Sequence, residues 1–232
     1  MHATDSIDPD SITQVVAIDG PAGAGKSTTA RRAAAELGFA FLDTGAMYRA
    51  ATWNALHRLV DLDDPEAVAE ATRKMELDMR EDNGRQRVIV DGQDVTEAIR
   101  SAEVTNQICR LDQAPAVRHH LVALQRAFGS RQPTVAEGRD IGTVVFPRAK
   151  CKIFMVANHE ERTRRRMQEL QSKGQQVEFE RLSQEIAERD RKDETRSTAP
   201  LRMAPDAHRL DTTGLSLDEV VAEVVRLARA AL

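Results

Sequence analysis

The sequence predicts an α/β fold in which a parallel sheet is covered by helices on both faces and carries an inserted subdomain and a helical lid. Three observations predict it. Short apolar runs bounded by turn residues alternate with segments of helical period. A glycine-rich loop, Gly20 to Thr28, joins the first apolar run to the first helical segment. One stretch, about 75–97, breaks the alternation with period-two apolar residues and two Asx-Gly pairs.

In chain order, residues 1–14 are acidic and polar, lack the apolar core of a secretory signal or anchor, and read as a frayed tail. Val15 to Asp19 reads as a buried strand, Ser27 to Leu37 as a helix stopped by Gly38, and Phe39 to Asp43 as a second strand. Met75, Leu77 and Met79 alternate with polar residues, and Asn83-Gly84 and Asp91-Gly92 supply tight turns around Arg87 to Val90, ahead of Val95. That is a small antiparallel meander, because both central residues of a type I′ turn take positive φ. Val117, Leu121, Leu124 and Phe128 mark a helix. Strands follow at 134–136 and 152–156. Glu160 to Arg196, rich in arginine and broken by Gly174, then reads as two charged helices forming a flap. A strand at 208–210 precedes a closing helix, which opens with the Ser216/Glu219 capping box and carries Val220, Val221, Val224 and Leu227.

A chain of 232 residues suits one well-buried core with appendages. A net charge of −4 argues against a surface built for nucleic acid or anionic membrane, and no run approaches membrane-spanning length. Of the 33 basic residues, 27 are arginine; planar guanidinium suits bidentate phosphate contacts, although biased base composition gives the same excess. Cys109 and Cys151 lack metal or disulfide spacing and fit a reducing, cytoplasmic setting.

The chemistry gathers at the predicted carboxyl ends of strands, where ligands of such sheets collect. Gly20-Pro21-Ala22-Gly23-Ala24-Gly25-Lys26-Ser27-Thr28 is a complete G-x-x-x-x-G-K-S loop, which makes the core that of a P-loop NTPase. Its backbone N–H groups cradle phosphates, Lys26 reaches the β and γ phosphates, and the Ser27 hydroxyl joins the shell of Mg²⁺. Asp43-Thr44-Gly45-Ala46-Met47-Tyr48-Arg49 follows the second strand, where Asp43 taken alone also reads as a helix cap. Glu137-Gly138-Arg139-Asp140 offers a carboxylate for a Mg²⁺-bound water and a guanidinium for phosphate, or else an ordinary surface turn with an ion pair.

These stretches, extended to Gly142-Thr143-Val144-Val145-Phe146-Pro147, and the meander stretch Val90 to Thr96 with Ile99-Arg100, resemble the bacterial cytidylate kinase family over nearly the whole chain. The family makes CDP and dCDP from CMP and dCMP with ATP and Mg²⁺. The resemblance implies a P-loop core of residues 15–44, 119–157 and 193–232, an acceptor-binding domain at 45–118, and a lid at 158–192. It implies ATP contacts from the loop and from Arg162, with Lys26, Arg139 and Arg196 as catalytic groups. Arg49, Arg139 and Arg196 match the arginines that grip the acceptor phosphate, and Arg118 with Asp140 the pair that reads the cytosine edge. Arg189 and Asp193 match ribose contacts; Thr44 and Tyr48 belong to the CMP site, and Ser27 and Glu137, through water, to the metal. Cys109 departs from a position that usually carries a serine, and a thiol is a weaker hydrogen-bonding group. It is expected near the base, or else as a small apolar core residue. The resemblance further implies a cytoplasmic monomer without nucleic-acid or membrane partners.

Other readings are weaker. A kinase of shikimate or dephospho-coenzyme A would share the loop without the Asp-Gly meander, and a GTP-dependent switch would show an N-K-x-D motif, which is absent. A nucleotide-gated RNA-binding protein would need a persistent basic face.

Overall fold

The chain runs β1 (Val15–Asp19), α1 (Lys26–Leu37), β2 (Ala40–Asp43), α2 (Thr44–His57), α3 (Pro65–Lys74), β3 (Leu77–Asp82), β4 (Arg85–Val90) and β5 (Gln93–Asp94). It continues through α4 (Ala102–Leu111), α5 (Pro115–Gly129), β6 (Thr134–Gly138), β7 (Cys151–Val156), α6 (His159–Ser172), α7 (Phe179–Thr195), β8 (His208–Asp211) and α8 (Leu217–Ala231). This computed structural model describes residues 12, 14–82, 84–172 and 174–232. The tail expected at 1–14 lies mostly outside the described residues, as does Asn83 of the first Asx-Gly pair.

The five main strands form a parallel sheet in the order β2-β6-β1-β7-β8. Strand residues point alternately to its two faces. Val16, Ile18, Val135, Ile153 and Met155 pack with Ala30, Ala33 and Ala34 of α1 and Val220, Val221 and Val224 of α8. Val15, Ala17, Leu42 and Ala136 pack with Met47 of α2, Val122 of α5 and Phe146. This two-sided burial explains why β1 reads as an unbroken apolar run.

The second strand begins one residue later than the sequence suggests. Gly38 takes a left-handed conformation at the end of α1, and the Phe39 N–H turns back to donate to the Ala34 carbonyl, so pairing starts at Ala40. The inserted meander is the antiparallel sheet β3-β4-β5. Its second turn is as the sequence requires, with φ of 49° at Asp91 and 80° at Gly92. Met75 and Val95 flank the strands and are buried in a core that they share with α2, α3 and α5. Gln86 of β4 bolts this insert to the main sheet: its amide nitrogen donates to the Phe41 carbonyl at 2.5 Å, and its amide oxygen accepts from the Asp43 N–H at 3.1 Å.

The segment expected as a lid is the hairpin of α6 and α7, crosslinked by His159 Nε2 and Ser183 Oγ at 2.7 Å. The boundaries drawn at 118/119 and 192/193 fall inside α5 and α7, so each helix carries the chain continuously from one unit into the next.

Candidate active site

Burial dictates the loop's shape. Gly20 has φ +150°, and a Cβ there would fall 2.1 Å from the Met155 carbonyl oxygen, so only glycine lets the chain leave β1 alongside β7. Gly25 caps α1, whose N-terminus points its free N–H groups and positive dipole end into the loop. Lys26 is 5 % exposed and donates to the Pro21 carbonyl at 2.7 Å. Burial first, then Arg139, pushes its pKa down. The Ser27 hydroxyl donates to Glu137 Oε1 at 2.5 Å, and burial followed by the charge of Asp43 pushes the Glu137 pKa up. Ser27 and Glu137, 110 residues apart, are thus in contact as the loop and β6 end side by side.

Helix α6 reaches the loop and its surroundings through arginines. Arg162 donates to the Ala22 carbonyl at 3.1 Å, pairs with Asp190 at 2.6 Å, and is 7 % exposed. Arg165 donates to Thr212 Oγ1 at 3.0 Å and to the Thr212 carbonyl at 2.7 Å, while Thr212 Oγ1 lies 3.5 Å from the Ala24 carbonyl.

Beside the loop stands a group of cations. Arg139 pairs with Asp193 at 2.7 Å; burial pulls its pKa down, but Asp193, Glu137 and Asp190 together outweigh it and the net shift is upward. Arg49 donates to Thr105 Oγ1 at 2.8 Å and to the Ile99 carbonyl at 3.3 Å, and has no carboxylate partner among the described residues. Burial first, then Arg189, lowers its pKa to about 10. Arg189 likewise has no carboxylate partner there, and burial followed by Arg139 pushes its pKa down. Arg49 and Arg189, half-buried, mutually repelling and with no carboxylate in contact among the described residues, suit an anionic ligand.

A third group lies at the turn after β6. Arg118 is 4 % exposed, forms a short ion pair with Asp140, donates to the Asp112 carbonyl at 3.1 Å and stands 5.6 Å from the centre of the Tyr48 ring. Arg196 donates through Nε to the Ala199 carbonyl at 2.5 Å, and its Nη2 lies 3.7 Å from Asp140 Oδ1, too far for a hydrogen bond. That Nη2, the Tyr48 hydroxyl and Asp112 Oδ1 are buried without hydrogen-bond partners. Burial pushes the Tyr48 pKa up, so its hydroxyl stays a donor. Paired charges beside unspent donors and acceptors suit a polar, flat ligand edge.

Thr44 donates to the Glu137 carbonyl at 2.7 Å, tying the start of α2 to the end of β6. Asp43 caps α2 by accepting from the Ala46 N–H at 2.9 Å, so its capping role is real. Cys109 does not sit in the core: it is half-buried on α4, with its thiol 4.0 Å from the Asn106 carbonyl. The stripe Val104, Ile108, Leu111 takes the inward face of that helix and leaves Cys109 beside it. Sequence reasoning gave no individual role to Asp19, Gln86 or Asp190, whose partners are backbone groups or side chains distant in sequence. Among the described residues no cluster of three or more His, Cys, Asp or Glu could hold a metal, and no helix is long and apolar enough to cross a membrane.

A family model described as cytidylate kinase matches residues 16–230. A cytidylate kinase of Exiguobacterium sp. is 48 % identical over 212 residues, covering 91 % of this chain and 95 % of that protein. One from Geobacillus kaustophilus is 47 % identical with the same coverage. A bifunctional pantoate ligase/cytidylate kinase of Nostoc sp. is 49 % identical over 215 residues, and there the match spans 40 % of the longer protein.

Proposed function

The chain belongs to the cytidylate kinase family, and on that premise we propose that it transfers the γ-phosphoryl group of ATP to CMP and dCMP. The observation that carries this reading is Arg49, held on the Thr105 hydroxyl and the Ile99 carbonyl with no carboxylate partner among the described residues, next to Arg189, which with Arg139 also repels Lys26. Such a constellation is costly in a protein alone and favourable around two phosphate groups brought together.

An acceptor phosphate is largely ionised at neutral pH and is already a nucleophile, so the residues need align and neutralise rather than remove a proton. The loop N–H groups and Lys26 hold the β and γ phosphates of the donor. Arg49 and Arg139 grip the acceptor phosphate, and Arg196, with its unspent Nη2, faces it from the end of α7. Arg118 and Asp140 present a donor and an acceptor to the cytosine edge, with Tyr48 against the base. Asp193 and Arg189 meet the ribose, and Arg139 turns from Asp193 toward phosphate as the acceptor enters. Arg162, already on the loop backbone, carries the lid down over ATP and excludes water, which would otherwise compete as acceptor.

The donor set fits Mg²⁺. Ser27 Oγ and the Glu137 carboxylate are hard oxygens in contact with each other, and an ion that keeps several waters and takes phosphate oxygens needs only one or two such groups. Bound with ATP, Mg²⁺ would supply charge neutralisation to the donor phosphates. We further read the chain as a cytoplasmic monomer, a setting that suits its two free thiols.

A coupled assay of ADP release over CMP, dCMP, UMP, AMP and GMP tests the reading. Turnover of CMP and dCMP well above the rest is the expected result. Preference for a purine monophosphate, or none for any of the five, would overturn it.

A further inference from the structure

Asp19 closes β1 immediately before the loop and is 4 % exposed. Its Oδ1 accepts the Ile141 N–H and its Oδ2 the Gly142 N–H, each at 2.8 Å. These two donors open the short turn Ile141–Val145, directly after Asp140. One carboxylate therefore fastens the residue that begins the phosphate loop to the residues that follow the base-reading aspartate, across 122 positions of sequence. Burial pushes its pKa up, to about 6, against the pull of the two N–H groups, which favour the carboxylate.

Neither neighbour of the clamp can adjust freely. Gly20 is pressed against the Met155 carbonyl on one side, and Asp140 is held by Arg118 on the other. The geometry points to Asp19 as a positioning residue that sets the distance between the donor loop and the cytosine-reading cluster, an inference that rests on the functional reading above. A carboxylate is required because both oxygens accept; an amide would turn its NH₂ toward one of the two N–H groups. A displacement of about 1 Å in such a site is enough to cost about 10²-fold in rate.

Asp19→Asn keeps the shape and removes one acceptor. It should raise KM for CMP about tenfold and lower the preference for CMP over UMP, while KM for ATP stays within about twofold. In an Asp140→Ala background the same substitution should raise KM for CMP by less than about twofold more, since the group through which it acts is gone. Asp19→Glu keeps both acceptors on a longer stem and serves if the amide does not fold; it too should raise KM for CMP, with kcat reduced. Variants that lose thermal stability but keep wild-type KM for CMP, or that lose ATP and CMP affinity equally, would overturn the proposal and leave CMP phosphorylation standing. A wild-type chain that does not phosphorylate CMP would overturn the functional reading and this proposal with it.

Discussion

Replacing Lys26 by methionine should do two opposite things. The methionine keeps the stem that fills the loop and removes an ammonium that is 5 % exposed, desolvated and repelled by Arg139 and Arg189. Burial, then Arg139, drives its pKa down, so the fold holds this cation at a cost. Against this stands the Pro21 carbonyl, which loses its donor at a cost of about 1 kcal/mol. Relief of the buried charge should outweigh that loss, so the nucleotide-free midpoint should rise, at about 2–4 °C per kcal/mol for a chain of this size. Turnover of CMP should meanwhile fall by about 10²- to 10³-fold, as for removal of a transition-state donor. Thermal melts without nucleotide, beside steady-state ADP release, read both effects. Adding ATP with Mg²⁺ should raise the wild-type midpoint more than that of the variant, because only the wild type offers the ammonium to the phosphates. A lower midpoint in the nucleotide-free variant would refute the argument that this cation is held at a cost. Near-normal turnover would refute its role.

Arg49→Met should raise KM for CMP by about 10- to 100-fold while leaving the midpoint nearly unchanged, because the arginine gives up charged hydrogen bonds to phosphate but no ion pair within the fold; initial rates and melts decide it. Gln125 on α5 is 1 % exposed with neither amide atom bonded, so Gln125→Met should raise the midpoint by a few degrees, for about 1 kcal/mol gained, without altering kinetics. Cys109→Ser should change stability by less than about 0.5 kcal/mol, since the thiol is half-buried on α4. If Cys109 meets the base, calorimetry should show CMP binding tightened by about 0.5 to 1.5 kcal/mol and UMP binding less so; equal affinities would leave base recognition to Arg118 and Asp140.

Much of the fold was legible because its signals are local. An apolar run before a glycine-rich loop, Asp91-Gly92 between alternating residues, and Ser216 with Glu219 each carry their own geometry in a few neighbours. The start of β2 was misjudged by one residue because a helix cap at Gly38 competes for the N–H of Phe39, a contest that apolar character does not report. In the candidate site, the side chains were visible from sequence but their pairings were not. Arg139 meets Asp193 from 54 residues away and Arg162 meets Asp190 from 28, and a chain rich in both charges offers many such partners. Asp19 was hidden for another reason. Its partners are backbone N–H groups, which every residue but proline owns. The position of Cys109 was within reach, since the stripe Val104, Ile108 and Leu111 already fixes which face of α4 turns inward.

The amide of Gln86 on the outer edge of β2 bears on solubility as well as on shape. An edge strand is a template on which another chain can extend the sheet, and the Phe41 carbonyl and the Asp43 N–H are two of the groups such an intruder would need. By occupying both with one side chain, the meander guards β2 against intermolecular pairing. The opposite edge, β8, relies on brevity and on the exposed His208, Arg209 and Asp211. Deleting the meander would therefore do more than remove an insert: it would uncover β2 and open the whole chain to self-association.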